Sequence, residues 1–562
     1  MSACSPTRLL TALFAASLLL ASPLFAGGTE GPKGPAPDLA SKIARFAPTV
    51  VKADTSRLSP GDAKALAKIL EAAKLMDAIY LRQVWSGNVA MQARLEADKS
   101  PAGIELLRYF RINVGPWSRL DGNEPFVDGA PVKKPAGAGF YPEDMTKDEF
   151  ETWVKTLPEP EQKQATGFFH AVRRDTKGKL HLVPYSTEYK DLLEPAAKLL
   201  NEAAAATDNK TLAAYLKARA TAFSTDDYYE SDVAWMDLDA PLDITIGPYE
   251  VYEDELFNYK AAFEAFVTLR DDAETAKLAK FSGQLQYLED SLPIDKKYRN
   301  PKIGASSPIR VVDEVFVAGD ANHGVQTAAF NLPNDEKVLK EKGAKRVMLK
   351  NVQEAKFKKV LLPITEVVLA PEQQQLVSFD AFFTHILAHE LVHGIGPHEI
   401  TVDGKTSSAR QQLKELHSAL EEAKADITGL WALQVLADKE VLTKELTRTM
   451  YTTFLASCFR GVRFGIGEAH GKGLALIFNY LTDEKAVLHD EKTGTFSVDS
   501  AKIFKAVEKL AGELMTIEAE GSYSKAKAIL DRLGVLRPAM QQALDRLQAI
   551  PVDIAPEFPL AN

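Results

Sequence analysis

Cysteine is almost missing from this 562-residue chain: only Cys4 and Cys458 occur, so no disulfide framework and no thiolate cluster can hold it together. An excess of positive charge is missing as well. The 67 lysines and arginines face 77 aspartates and glutamates, a formal charge of -10, and no basic block breaks that balance. A protein that grips the nucleic-acid backbone is thereby excluded. No repeat of fixed period is present, which excludes a solenoid. What is there has the composition of a globular protein, 46% hydrophobic and 26% charged, which leaves out disordered, collagen-like and coiled-coil classes. At roughly 150 residues per domain the length suggests two to four domains or lobes.

The one conspicuous apolar run is at the start. Arg8 is followed by apolar residues from Leu9 to Leu20 and then by Ala21-Ser22-Pro23-Leu24-Phe25-Ala26. Basic, apolar and small-residue segments in that order read as a secretory signal over residues 1–26, cleaved after Ala26. The run is shorter than the roughly 20 residues that span a bilayer, and no cysteine follows in lipobox position. The reading predicts an exported protein, periplasmic or secreted, with no membrane span once the signal is gone. Cys4 leaves with it, and stability must come from packing, with metal as a further source. Residues 27–38 form a Gly/Pro-rich linker.

Beyond the linker, apolar residues spaced by three and four, such as Leu66, Ile69, Leu70 and Ala73, predict helices from about residue 39 to 107. Further helices fit 146–157, 192–206 and 211–223, and the glycines and prolines between 115 and 141 make that stretch a loop. Strand patterns cluster in the middle of the chain, at 180–184, 240–252, 263–269, 309–318 and 346–349. From Phe379 the pattern is helical almost to Pro538, interrupted once near Gly494.

The chemistry concentrates in His389-Glu390-Leu391-Val392-His393. On a helix, residues four apart project from one face, so both imidazoles reach one metal while Glu390 flanks the open coordination position. His385 lies one turn earlier, but a rise of 1.5 Å per residue puts it about 12 Å from His393 along the axis. One ion cannot take all three. Two carboxylates compete to be the third ligand. Glu399 stands where a metzincin has its last histidine. Glu422, on a later helical stretch, shares a face with Asp426, which can hold a ligating imidazole by its other N–H. Glu421 has Ala425 at the same offset, so Glu422 is favoured.

These residues resemble the dipeptidyl peptidase III (M49) zinc peptidases. The family's His-Glu zinc helix with His-Gly-x-Gly has its counterpart in His389-Glu390-Leu391-Val392-His393-Gly394-Ile395-Gly396, and its Glu-Glu-Cys-Arg-Ala-Glu helix in Glu421-Glu422-Ala423-Lys424-Ala425-Asp426. Tyr249-Glu250-Val251-Tyr252, Phe263-Glu264-Ala265-Phe266-Val267, Asn331-Leu332-Pro333-Asn334 and Glu468-Ala469-His470 are similar to four further family stretches and follow in family order. The resemblance implies one zinc ion per chain on His389, His393 and Glu422, with Asp426 behind them and Glu390 activating water. It implies that Tyr252 and His470 face the scissile carbonyl, and that Glu250, Asn331 and Asn334 hold the free amino end of a short peptide. Two departures stand out. Two residues rather than three separate Glu390 from the second histidine, which is ordinary zincin spacing. Leu474 replaces an arginine four residues after His470, which bears on substrate length and affinity.

Pattern and resemblance together predict a mostly helical α+β protein with two lobes around a wide cleft. Residues 39–360 form a mixed lobe with a small β core, part of 270–305 being able to join the other lobe, and residues 361–562 form the helical lobe with the zinc. The expected activity is release of dipeptides from the N-terminus. Its rivals are a zinc aminopeptidase or endopeptidase of different product length, and a non-catalytic exported peptide-binding protein with structural zinc. A structural site has no need of Glu390, which speaks against the last.

Overall fold

The computed structural model of the chain describes residues 38–303, 309–402 and 404–560, apart from the side chains of residues 278 and 279. The expected signal at 1–26 and all of the linker but residue 38 lie outside the described residues.

The first long elements build a support for a sheet. After strand β1 (Phe46–Val50) comes helix α1 (Pro60–Val84), begun by the Ser59 hydroxyl, which accepts the Asp62 N–H at 3.0 Å. Pro60 sits at its first position, where a missing N–H costs nothing. Its buried side chains, among them Leu66, Ile69, Ala73, Met76 and Tyr80, recur at helical spacing and pack on α2 (Lys190–Ala206), with α3 (Lys210–Thr225) beyond, and on the sheet.

That sheet has five strands: β2 (Leu242–Glu250), β3 (Ala262–Arg270), β4 (Ile309–Gly319), β5 (Ala329–Leu332) and β6 (Lys345–Leu349). Their spatial order is β2-β3-β4-β6-β5. The β4–β6 pair is parallel and the others antiparallel. In β2 and β3 the first eight residues of each are buried, as expected of strands covered on both faces.

The other lobe is helical: α4 (Phe379–Val392), α5 (His417–Asp438), α6 (Lys444–Val462), α7 (Ala469–Asp483) and α8 (Ile503–Ala519). The chain ends with β7 (Asp553–Glu557), which pairs in parallel with β1. The protein is thus a mostly helical α+β fold in two lobes. Buried apolar side chains form one core for each. Phe281, Leu285, Leu288 and Leu292 belong to the helical core, and Ile554 and Phe558 return to the other. Among the described residues no helix is long and apolar enough to cross a membrane.

The five stretches with strand pattern are all strands. The helical run after Phe379 is interrupted near Gly494 as expected, and departs from expectation in a further hairpin of Glu399–Val402 and Lys405–Ser408, where β-branched Ile400, Thr401 and Val402 precede Gly404 at φ +72°.

The returning C-terminal segment is pinned by charge. Asp553 and Lys356 are 0% and 1% exposed and pair at 2.9 Å, and Asp553 also accepts the Gln326 N–H at 2.7 Å. Asp553→Ala leaves a buried ammonium without its counter-ion, a loss of about 3–5 kcal/mol. Urea unfolding is expected to show it, and Asp553→Ala unfolding at the wild-type midpoint would contradict the pair's role.

Candidate metal centre and the cleft around it

Helix α4 begins at Ser378, whose hydroxyl accepts the Ala381 N–H, and is apolar nearly all round. Phe382, Phe383, Leu387, Leu391 and Val392 are buried, so it runs through the lobe rather than over it. That carries His389 and Glu390 inside, 4% and 3% exposed. Helix α5 closes on α4 at a glycine: a Cβ on Gly429 would stand 3.2 Å from the backbone nitrogen of His389. Gly473 of α7 does the same against α5, where a Cβ would lie 3.0 Å from the nitrogen of Ala423. Three helices therefore converge on one point.

At that point His389 Nε2 and His393 Nε2 lie 3.1 Å apart. They are 3.2 and 3.7 Å from Glu422 Oε2. His389 Nδ1 donates to Asp426 Oδ1 at 2.8 Å and His393 Nδ1 to Glu421 Oε1 at 2.6 Å. With the proton placed on Nδ1, each Nε2 directs a lone pair at the other two atoms. Glu422 Oε2 is buried and has no hydrogen-bond partner. Three lone pairs meeting without a hydrogen between them repel one another, and a cation at their focus removes the conflict. Two imidazoles and a carboxylate, each ring fixed by a second carboxylate, are a donor set that fits a catalytic zinc.

His470, in the first turn of α7, brings its Nδ1 within 3.1 Å of the same Glu422 oxygen. His385 does not join the cluster. It donates to the Asp426 carbonyl at 2.9 Å and packs on Phe454. Glu399, the competing third ligand, is exposed on its hairpin.

Two groups that hold this arrangement were not singled out in the sequence. Glu421, set aside for lacking a partner at the next turn, holds His393 instead, and is itself held by Lys424 at 2.8 Å. Burial works against its charge, yet Lys424 and His393 keep its pKa well below the usual carboxylate range. Its signal was adjacency to Glu422, which puts it one step round the helix. Arg346 of β6 donates to the Glu390 carbonyl at 2.5 Å and lies 3.5 Å from its Oε2, tying the sheet to α4. A lone arginine in a strand carries no pattern by which to find it.

The cluster opens on a cavity of about 560 Å³ between the lobes. Glu250 and Tyr252 are on its mixed-lobe wall; His389, Asp426 and His470 are on its helical wall. Burial, with Asp320 nearby, pushes the Glu250 carboxyl above its ordinary pKa. Burial, with Glu250 and Asp320, raises the Tyr252 hydroxyl too, so it stays protonated and able to donate. Asn331 and Asn334 do not line this cavity. Asn331 is 6% exposed, with its Oδ1 unpartnered. Asn334 donates to the Tyr249 carbonyl at 2.9 Å, one residue before Glu250, and borders a separate cavity of about 170 Å³.

The sequence model of Peptidase family M49 matches residues 145–398. Among solved structures, dipeptidyl peptidase III from Caldithrix abyssi is 48% identical, with TM-score 0.89 over 93% of this chain and 99% of its own. Dipeptidyl-peptidase III from Corallococcus sp. strain EGB is 56% identical, with TM-score 0.77 over 93% and 97%. A curated Arabidopsis thaliana protein named Nudix hydrolase 3 is 44% identical over 93% of this chain and 74% of its own length. That name belongs to the plant protein, a quarter of which lies outside the match. Two paired histidines, a converging glutamate and near full-length likeness to two dipeptidyl peptidase III structures lead to one assignment: the chain belongs to peptidase family M49 and is a hydrolytic metallopeptidase.

Proposed function

We propose that this protein is a zinc-dependent exopeptidase that releases dipeptides from the N-terminus of short peptides. The observation that carries the reading is the buried, unpartnered Glu422 Oε2 facing two imidazole lone pairs on the wall of a cleft, with the uncommitted Glu250 on the opposite wall. His389, His393 and Glu422 would hold the zinc, with Asp426 and Glu421 fixing the rings.

When bound, zinc supplies Lewis acidity and makes water a usable nucleophile near neutral pH. Glu390 takes the proton of the attacking water and returns it to the leaving amine. Tyr252 and His470 donate to the carbonyl oxygen as it gains charge, in a cleft poor in water. Glu250 neutralises the substrate ammonium; Asn331, which the resemblance adds to the amino-end site, has its Oδ1 buried and does not line the cavity, so its part is to back the wall that carries Glu250. Asn334 holds the strand end that presents Glu250, so its part in the amino-end site is to position that carboxylate. A site that binds the amino end counts residues from it, and the names of the two solved relatives support a count of two. The order of basic, apolar and small residues over 1–26 supports export to the periplasm or medium.

Product masses from one peptide, free and N-acetylated, with and without chelator, test the reading. Acetylation removes the cation and leaves Glu250 desolvated without a partner, so cleavage falls at least about tenfold, given a charge-assisted bond of roughly 1.5–3 kcal/mol. Free peptides lose dipeptides. A ladder of single residues, or equal cleavage of the acetylated peptide, would defeat the dipeptidyl assignment.

A further inference from the structure

Most charged groups that line the cleft are already committed. Arg45 pairs with Asp121 at 2.7 Å, Arg119 with Glu253 at 3.0 Å and Lys356 with Asp553 at 2.9 Å. Arg463 donates to the carbonyls of Leu547, Ile550 and Pro551. One cation remains. Arg460, near the end of α6, lines the same cavity, and among the described residues it has neither a hydrogen bond nor an ion pair. Its Nε is buried and unpartnered. The Phe382 ring lies 5.9 Å from its guanidinium carbon, and the charges of Lys356, Arg463 and Asp553 act on it or feel it. Burial lowers its pKa, and the field of Asp553 only partly offsets that, the sign of a cation short of a counter-ion. Glu250 and Glu264 line the same cavity, and among the described residues neither carboxylate makes a hydrogen bond or an ion pair.

We propose that Arg460 is a specificity residue that binds the C-terminal carboxylate of the substrate, which makes the preferred substrates short peptides with both ends free. This deepens the proposed dipeptide-releasing site and rests on that reading. The cleft has uncommitted acid on one wall and an uncommitted base on the other, the arrangement that suits a zwitterionic chain and fixes its direction. Phe382 lies seven residues before His389 on α4, roughly 10 Å along the helix axis, or about three residues of extended peptide. A peptide with three residues beyond the scissile bond would bring its carboxylate to the guanidinium, whose planar fork matches carboxylate geometry. Leu474, the residue that replaces the resembled family's arginine, also lines the cavity. A Cβ on Gly461 would stand 2.2 Å from its Cδ1, so Leu474 packs against the residue that follows Arg460 and supplies no charge of its own.

The test compares a pentapeptide with a free amino end as the free acid and as the C-terminal amide. The wild type is expected to favour the acid by at least about tenfold in kcat/KM, chiefly through KM, the factor that about 1.4 kcal/mol represents. In Arg460→Gln the ratio of acid to amide falls to within about twofold of one. Arg460→Lys keeps the charge without the fork and falls between them. Equal rates on acid and amide in the wild type, or a full preference in Arg460→Gln, overturns the proposal. Should Arg460→Gln not fold, a wild-type ratio retained in full by Arg460→Lys counts against it. Product masses from the same reactions report separately on the dipeptide reading, which fails if single residues appear, whatever the acid-to-amide ratio.

Discussion

Glu390→Gln is expected to keep its metal and to lose at least about a hundredfold in turnover, the usual minimum for removing a general base. The amide has the shape of the carboxylate and cannot take a proton from water. Glu390 is not one of the three converging donors, so metal content read by atomic absorption stays near one per chain. Arg346, 3.5 Å from Glu390 Oε2, loses an ionic partner but keeps its bond to the Glu390 carbonyl, so the helix stays tied to the sheet. Residual turnover above about a hundredth of wild type would be hard to reconcile with a base at this position.

Removing a ligand has a different signature. His393→Ala or Glu422→Ala takes one of three converging donors away, and bound metal is expected to fall from about one per chain toward none, with activity lost alongside. Stability falls too, because a ligand that binds only the folded state at a thousand times its Kd contributes about 4 kcal/mol. Thermal unfolding of wild type with and without chelator measures that linkage, and the two variants no longer respond to chelator. Glu399→Ala, on its exposed hairpin, is expected to bind metal normally. The reverse pattern, metal kept by Glu422→Ala and lost by Glu399→Ala, would replace the ligand set argued from the geometry.

Much of the site was legible because local spacing and helical geometry are short-range facts. His389 and His393 share a face whatever surrounds them, and Glu422 and Asp426 likewise. The role of Glu421 was not legible. Its imidazole partner lies 28 residues earlier in the chain and comes within reach only because Gly429 and Gly473 let the helices approach. Strand β5 was hidden for a related reason: four residues running into Pro333 look like a turn, and only β6, paired with Arg346 opposite Asn331, makes them a strand.

The sequence alone determined the helical zinc-type motif, the near absence of cysteine, the mixed sheet segments in mid-chain and the family likeness, since each is written in periodicity, composition or adjacent residues. Tertiary structure decided which carboxylate faces which histidine, that β7 returns to β1 across more than five hundred residues, and that Arg460, alone among the cleft's lysines and arginines, has no hydrogen-bond or ion-pair partner among the described residues. Those are questions of distance between remote segments. Packing of whole helices and pairing of distant strands sets such distances, and no local pattern encodes them.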